Sequence, residues 1–521
     1  MQEKRVLSRV LSIILICALF SPIFSILPTA SADSETIYVD TQSCTPLSAP
    51  GDGSIEYPYC NISEAISSSS SGDTIIVASG DYVLNQPISI THPLTLKGVK
   101  YDISALNRSS GDVTESTIDV RNSNGAIVIT SSDVVVAGFN IIGNENTRFG
   151  FSISGNDNSL SNIEIENNLI HGMAKKINQL RSTSWGILTE AKVSSNFTTN
   201  TLDGLHFHGN HIYDIGGYNN SIGLGISLHE VVSTEVGGGA IIENNKFSNI
   251  NDGQWAGVPT PGMGVVAQEE VLIYPTDQQS GITLRNNEYN TISVGAALQI
   301  SERGVFDEQN NNFQSVDVFM INVGHTTTVM ENTLAPFAKA TGRNLTIGIA
   351  DSAAYFASPS TAVAQTLVNS ESDSHNIILS GGVFNEDLII APSNQLSNLL
   401  ITTTEGGNPT FTGGIHLLAN YNLNNFTIEG LTIQGEATPG IAFNIESNAG
   451  LSDITINNMT INGGDAARSG IVSSGLSGEI TVENNNFNNL DGAYSYTTTP
   501  DGIVSSAGQI SQLSFSNNAI T

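Results

Sequence analysis

The stretch Ile163-Glu-Ile165-Glu-Asn167-Asn168-Leu-Ile170 decides the fold of this 521-residue chain. Its pattern is Φ-x-Φ-x-N-N-x-Φ, where Φ is apolar and the Asn pair can be replaced by Gly and any residue. In the first half the apolar and acidic side chains alternate, which is typical of a half-buried β-strand. The Asn pair predicts a bend, because Asn tolerates left-handed backbone and bonds to its own main chain.

The same pattern returns along the chain at intervals of a few tens of residues. Close copies begin at Leu205, Ala240, Ile282, Ile480 and Leu513, and looser copies begin at Leu94, Val134, Thr327, Phe426 and Ile454. A second pattern, G-Φ-x-Φ, precedes most copies and begins at Gly125, Gly150, Gly186, Gly225, Gly264, Gly295, Gly440, Gly470 and Gly502. Two strand patterns recurring in fixed order indicate a solenoid. Asn residues stacked on successive coils can also form an amide ladder.

Three short strands per repeat, each pairing with its equivalent in the next repeat, predict an all-β chain folded as a parallel β-helix. Repeats such as Val482-Glu-Asn-Asn-Asn-Phe487 resemble those of the right-handed, pectate-lyase-like β-helix superfamily. The resemblance covers most of residues 60–521 and implies a right-handed, single-stranded parallel β-helix solenoid. Several enzymes of that superfamily carry diagnostic motifs, among them Gly-His-Gly, Arg-x-Pro-x-x-Arg and Asp-Phe-Ile-Phe-Gly, and none of these occurs in the chain. The resemblance therefore implies no particular reaction, although an enzyme of this kind would be a polysaccharide lyase or a glycoside hydrolase.

Charge narrows the range of partners. The chain has 18 Lys and Arg against 49 Asp and Glu, a net charge of −31. Such a surface repels nucleic acid and anionic lipid. It is compatible with Ca²⁺, with neutral glycans, with a saline exterior, and equally with plain solubility. No cofactor is assigned, Ca²⁺ is the candidate, and the sequence makes no prediction of oligomeric state.

The N-terminus predicts secretion. Basic residues precede an apolar run over residues 10–27, and Ala30-Ser-Ala32 then provides a cleavage motif. This pattern predicts a signal peptide over residues 1–32, with the mature chain beginning at Asp33. We therefore expect a secreted or cell-surface protein with no stable membrane insertion after cleavage.

Two cysteines, Cys44 and Cys60, remain after the signal peptide is removed. In an oxidising compartment such a pair is expected to form a disulfide. Its expected role is to hold an N-terminal cap, residues 33–61, over the open edge of the first coil.

The strand patterns near residues 74–82 recur near residues 376–384, which predicts two modules. The strand patterns Thr74-Ile-Ile-Val77 and Gly80-Asp-Tyr82 return as Asn376-Ile-Ile-Leu379 and Gly382-Val-Phe384. We expect a first parallel β-helix with long loops over residues 62–340, and a regular second one over residues 341–521. The second module either ends incomplete or continues into a further stack. Loops on a rigid scaffold commonly carry function, which favours the first module as the site.

One outward column of the first module is polar. The fourth residue after each Gly points outward, and in four consecutive repeats it is Glu190, His229, Gln268 and Gln299. Neighbours in such a column lie about 4.8 Å apart. The loops that enter these strands carry Trp185, Tyr218 and Trp255. Polar groups that bond hydroxyls, with aromatic rings beside them, suit a sugar chain, and superfamily members that act on polysaccharides are similar; a solvated sheet with ordinary loops is the alternative.

This groove contains candidate catalytic and binding residues. The catalytic candidates are Glu190, His229, Glu230, Glu269 and Arg303, and the substrate-binding candidates are Trp185, Tyr218, Trp255, Gln268 and Gln299. Glu190 with Glu230 or Glu269 could perform acid–base catalysis, and Arg303 could be the base of a lyase.

A second outward column contains His206 and His208. Together with Glu166 and Glu243 on adjacent coils they could bind a metal ion. Pairing of exposed charges along the stack explains them equally well, so the sequence analysis assigns no metal ligand. His211 occupies a variable position and is expected to be exposed.

Two functions remain open. The first is a secreted or cell-surface β-helix that binds a polysaccharide or surface glycan along the first module, with or without degrading it. The second is a non-catalytic adhesin or surface-layer stalk built of tandem modules.

Overall fold

A computed structural model gives the architecture. It describes residues 34–44, 51–109, 111–155, 159–174, 183–190, 202–229, 239–255, 258–268, 281–299, 305–323, 336–342, 352–364, 374–391, 398–419, 423, 425–436, 439–447, 452–463, 469–474, 477–497 and 510–521. The regular secondary structure of these residues is nearly all β, with most strands in parallel pairs, α-helices at Ile62–Ser68 and Pro359–Ala364, and 3₁₀ turns at Ala105–Asn107 and Tyr218–Asn220. The predicted signal peptide and its cleavage site, Ala32 and Asp33, lie outside the described residues. No helix in the described part of the chain is long and apolar enough to cross a membrane.

Three ladders of parallel strands run through the first part of the chain. Ladder 1 comprises Thr36–Val39, Asp73–Val77, Leu94–Lys97, Val134–Ala137, Leu160–Glu166, Leu202–His208, Ala240–Glu243, Gly281–Arg285 and Val305–Gln309. Ladder 2 comprises Gly80–Val83, Ser116–Asp119, Phe139–Ile142, Leu169–His171, His211–Ile215 and Lys246–Ile250. Ladder 3 comprises Ile88–Ile90, Gly125–Ile129, Phe149–Ser154, Thr183–Glu190, Ile222–His229 and Met263–Gln268. Ladders 2 and 3 join in the long strands Glu288–Gln299 and Asn312–Val323.

Three further ladders of parallel strands run through the later part of the chain. The first comprises Ser374–Leu379, Asn398–Thr403, Phe426–Glu429, Ser452–Asn457, Ser477–Glu483 and Ile510–Ser516. The second comprises Gly382–Phe384, Pro409–Phe411, Thr432–Ile433, Thr460–Asn462, Asn486–Asn488 and Ala519–Ile520. The third comprises Leu388–Ile390, Ile415–Ala419, Ile441–Ser447, Ser469–Ser474 and Gly492–Thr497.

The alternation seen in the sequence sets the register of ladder 1. Ile165 pairs with Phe207, and Phe207 pairs with Ile242 on the next strand. Ile163, Phe207 and Ile242 are fully buried in one apolar cluster. The inward direction predicted for the apolar residues is confirmed, so the residues between them face outward.

The second Asn of each pair forms a buried ladder. The backbone N–H of Asn168 donates to Asn210 Oδ1 at 3.0 Å, and that of Asn210 donates to Asn245 Oδ1 at 3.0 Å. Asn210 Nδ2 also donates to the carbonyl oxygen of Ile165 at 2.7 Å. The same contacts continue through Asn287 and Asn311. These bonds satisfy backbone groups that the bend would otherwise bury unpaired.

Ladder 1 includes one repeat that the sequence pattern does not predict. Val305–Gln309 pairs with Gly281–Arg285, and Asn310, at φ 53°, makes the left-handed bend. Glu308 stands where the pattern expects an apolar residue, so the pattern does not predict this repeat. The looser copy predicted at Thr327 lies outside the described residues.

The N-terminal strand is held by the predicted disulfide. Cys44 and Cys60 are bonded, with 5.3 Å between their Cα atoms. The strand Thr36–Val39 pairs in parallel with Asp73–Val77, and Val39 also bridges to Tyr59.

An antiparallel segment joins the two sets of ladders. Asn312–Val323 pairs with Ser352–Phe356, which pairs with Ala338–Gly342, which pairs with Ser374–Leu379. One buried apolar cluster contains side chains from ladder 3, from this segment and from the later core. Ladder 3 and the long strands contribute Met263, Val266, Val294, Ala297 and Val318. The antiparallel segment contributes Ala338, Ala340, Ala354 and Phe356. Strands rather than a free linker therefore connect the two parts.

Candidate functional site

The outer face of ladder 1 brings ionisable side chains from four successive strands together. Glu164 pairs with His206, and Glu166, His208, Glu243 and Arg285 follow one another in the next column. We call these six residues the ladder-1 cluster. Both histidines lie on the outer face because Leu205 and Phe207, which alternate with them, fill the core.

Both imidazoles of the ladder-1 cluster contact the carboxylate of Glu164, and His206 also contacts that of Glu243. Glu164 Oε1 lies 2.7 Å from His208 Nε2 and 3.4 Å from His206 Nδ1. The other nitrogen of His206, Nε2, lies 2.8 Å from Glu243 Oε1, and Arg285 Nε donates to Glu243 Oε2 at 2.5 Å. The two imidazole rings lie 4.2 Å apart between centroids.

The pKa values of two carboxyl groups in the cluster shift in opposite directions. Burial, with a further contribution from the Glu164 carboxylate, raises the pKa of Glu166. The hydrogen bond from Arg285 holds the pKa of Glu243 below its ordinary value. The side chains of Glu164 and His206 are 36% and 34% exposed, so a dissolved ion can reach them.

Three of these side chains could bind a metal ion together. One ligand atom each from Glu164, His206 and His208 lies within 4.8 Å of the others. The sequence indicates Glu166 and Glu243 as possible metal ligands beside the two histidines, whereas the structure brings Glu164 close to both. Glu164 stands in the same outward column as His206, and this position was its only signal in the sequence.

A second pair of histidines lies on ladder 2. His171 Nε2 lies 3.0 Å from Asn140 Oδ1, and His211 Nε2 lies 2.9 Å from Ser248 Oγ. Tyr213 contacts both rings, with centroids 4.6 Å from His171 and 4.4 Å from His211. Burial is the main cause that lowers the pKa of each histidine to about 4. The expectation that His211 is exposed was wrong, because its ring packs beside Tyr213.

The backbone of the predicted glycan groove follows the expected register. Ser154 pairs with Glu190, His229 pairs with Gln268, and Gln268 pairs with Gln299. The side chains of Glu190, His229, Gln268 and Gln299 lie outside the described part of the structure, as do all atoms of Glu230, Glu269 and Arg303. Their roles remain predictions.

Trp185 belongs to a strand rather than to a loop. It lies in Thr183–Glu190, is only 9% exposed, and packs with Phe149 and Leu188. The guanidinium carbon of Arg148 lies 4.4 Å from the centroid of its ring. In this arrangement Arg148 and the two apolar neighbours occupy the space that a sugar ring would need, which the sequence did not reveal.

The other two aromatic residues lie in adjacent connections. Tyr218 begins a 3₁₀ turn and is 52% exposed. Trp255 ends the strand Gly253–Trp255, which forms an antiparallel hairpin with Val258–Thr260. The hairpin lies directly against the turn, since a Cβ added at Gly253 would lie 2.5 Å from the carbonyl oxygen of Asn220. The side chain of Trp255 lies outside the described residues.

Comparison with known proteins adds little about function. No protein-family model and no curated protein matches the chain. Among solved structures, the chain is similar to the catalytic unit of a thermostable GH87 α-1,3-glucanase from Streptomyces thermodiastaticus strain HF3-3, with 13% identity, a TM-score of 0.29, and coverage of 94% of this chain and 69% of that one. It is also similar to a rhamnogalacturonan lyase, with 11% identity, a TM-score of 0.26, and coverage of 94% and 87%. A PL6 alginate lyase, AlyGC, shows 9% identity, a TM-score of 0.21, and coverage of 88% and 98%. All three degrade polysaccharides, but TM-scores this low support no argument about this chain.

Proposed function

We propose that the chain is a secreted or cell-surface protein that binds polysaccharide along ladder 3, between the connections that enter its strands and the carboxyl ends of those strands. In this proposal residues 62–340 and 341–521 form two right-handed parallel β-helix modules, and the antiparallel segment joins them. The parallel register from coil to coil supports the arrangement, because it turns equivalent residues into columns.

One observation carries the proposal. The turn that contains Tyr218 and the hairpin that contains Trp255 lie side by side on consecutive repeats. Both connect directly to strands of ladder 3, at whose far ends the positions of His229, Gln268 and Gln299 are aligned. An exposed aromatic ring where these strands begin, and a row of hydrogen-bonding residues where they end, suit a sugar polymer that spans both, because its rings have apolar faces and hydroxyl edges.

The proposal gives the predicted residues separate roles. Gln268 and Gln299 bond sugar hydroxyls, and Tyr218 and Trp255 contact ring faces. If the bound polymer is also cleaved, Glu190 with Glu230 or Glu269 supplies the carboxylate pair, or Arg303 supplies the base of an elimination.

The test compares aromatic variants. We expect Tyr218→Ala with Trp255→Ala to weaken retention of a bound polysaccharide roughly tenfold or more, as loss of two stacking contacts requires. Tyr57→Ala is the matched control, because Tyr57 is 63% exposed in the N-terminal cap. Trp185 is unsuitable for this test because its truncation would disturb a buried cluster. Affinity electrophoresis against a panel of polysaccharides measures retention, and an ultraviolet scan for unsaturated products detects a lyase.

A stalk or adhesin is the second candidate. Its supporting observation is the continuous hydrogen-bonded sheet of 22 strands that passes from the first ladders into the later ones. If the unmodified protein retains no glycan in the panel, the stalk becomes the better account. Equal retention by the double variant and the Tyr57→Ala control would reject the proposed groove.

A further inference from the structure

We propose that Glu164, His206 and His208 form a binding site for a divalent transition-metal ion of the Zn²⁺ type on the outer face of ladder 1. The site is separate from the proposed glycan groove, which lies on ladder 3. It stands on the geometry of the described side chains and does not depend on polysaccharide binding.

The first argument is convergence. Both imidazoles direct a nitrogen at the same oxygen, Glu164 Oε1, at 2.7 Å for His208 Nε2 and 3.4 Å for His206 Nδ1. The three side chains project from two paired strands, with Glu164 directly opposite His206. Ligands held on paired strands need little ordering when an ion binds, which favours affinity.

The second argument is the spacing of the two rings. His206 and His208 alternate with core residues on one strand, and their rings lie 4.2 Å apart between centroids on its outer face. One cation can therefore be shared by both imidazoles and the Glu164 carboxylate.

The third argument is the hydrogen bond between His206 and Glu243, which orients the imidazole ring. When Nδ1 of His206 binds the ion, Nε2–H donates to Glu243 Oε1, 2.8 Å away. Arg285 in turn donates to the other oxygen of Glu243 at 2.5 Å. A carboxylate behind a metal-binding histidine fixes the tautomer and orientation of the ring, and its loss typically weakens metal affinity about 10–100-fold.

The donor set selects the metal. Two nitrogens and one carboxylate suit Zn²⁺ and similar ions, and a set of two His and one Glu leaves a fourth coordination position open. Ca²⁺ prefers six to eight oxygen ligands and is a poor match. The cluster faces solvent, so that fourth position is accessible to water or to a small ligand.

The experiment titrates the full-length chain, stripped with a chelator, with ZnCl₂ and separately with CaCl₂ by calorimetry. We expect one Zn²⁺ per chain and no competition by Ca²⁺. His208→Gln and Glu164→Gln should each weaken Zn²⁺ binding by about 100-fold or more, whereas Glu243→Gln should weaken it about 10–100-fold and keep the stoichiometry. His416→Gln, which changes a partly exposed histidine in a later strand, is the matched control and should bind as the unmodified chain does.

A measurement on the unmodified chain identifies the metal ligands even if a variant fails to fold. X-ray absorption of the Zn²⁺-loaded protein should show two imidazole ligands, and Co²⁺ in place of Zn²⁺ should give a visible spectrum that disappears in His208→Gln. The proposal fails if Zn²⁺ does not bind, if the cluster variants bind it as tightly as His416→Gln does, or if absorption shows fewer than two imidazoles.

Discussion

His171 and His211 are neutral in the folded protein at ordinary pH. Burial is the chief cause that lowers the pKa of each from its ordinary value of 6.5 to about 4. Between those two values the unfolded chain binds more protons than the folded chain does. The free energy of unfolding therefore falls as pH drops from about 6.5 to about 4, and it is unaffected by these groups above that window.

This titration predicts a measurable change in stability. The loss is at most about 3 kcal/mol for each histidine, and less for His211, whose ring is the less buried of the two. The double variant His171→Gln/His211→Gln should flatten the dependence of the urea midpoint on pH between 6.5 and 4. His416→Gln should leave that dependence as it is. A double variant with the slope of the unmodified chain would show that other groups govern acid sensitivity.

Individual residues differ in how far sequence predicts them. The outward direction of His206 and His208 follows from alternation alone, because the apolar residues between them must fill the core. Both imidazoles contact Glu164, whereas Glu166 contacts His208 at 3.4 Å. This difference depends on side-chain conformation across two strands, which alternation does not determine. The burial of Trp185 depends on Arg148 in the preceding repeat, at a distance along the chain that no local pattern reveals.

Most described Gly residues of the G-Φ-x-Φ pattern lie where other atoms approach closely, whereas at Gly440 an added Cβ would have no heavy atom within 4 Å. A Cβ at Gly264 would lie 2.6 Å from the carbonyl oxygen of Gly295 and 2.8 Å from the ring of Tyr289. Gly186 shows the same relation to Gly225 and Ile212. At Gly186 and Gly264 the structure therefore requires Gly, because ladder 2 places a large core side chain against this point of ladder 3.

This close approach predicts opposite effects of two similar substitutions. Gly264→Ala should lower the free energy of unfolding by about 1–3 kcal/mol through overpacking. Gly492→Ala, at a strand position with no heavy atom within 4 Å of the added Cβ, should be neutral or stabilise by about 0.4–1 kcal/mol. Urea denaturation of both variants measures the difference. Equal effects would mean that ladder 3 can shift to accept a side chain.

Elements with regular patterns were predictable, and those without were not. The ladder-1 strands follow from alternation and the Asn pair. The strands Ala338–Gly342 and Ser352–Phe356 are rich in Ala and contain neither pattern. Their antiparallel pairing depends on the ends of both sets of ladders, which are distant in the sequence.

At the scale of the whole molecule, the two sets of ladders share a buried cluster. Phe356 is 1% exposed and pairs with Val318 on one side and with Ala338 on the other. The same cluster contains Val294 from the earlier ladders and Ile377 from the later ones. The stability of stacked strands depends on contacts between neighbours, so this cluster should couple the unfolding of both sets.

We therefore expect Phe356→Ala to destabilise both sets of ladders together. Removal of a buried phenylalanine ring typically costs about 3–5 kcal/mol. Hydrogen exchange should rise in Glu288–Gln299 and in Ser374–Leu379 alike, because each borders the cavity through the antiparallel segment. Ile480→Ala, a fully buried change within the later ladders, should raise exchange near Ser477–Glu483 and leave Glu288–Gln299 protected. If Phe356→Ala loosened only one set, the antiparallel segment would act as a tether between independent units, and the continuous sheet would no longer support a rigid stalk.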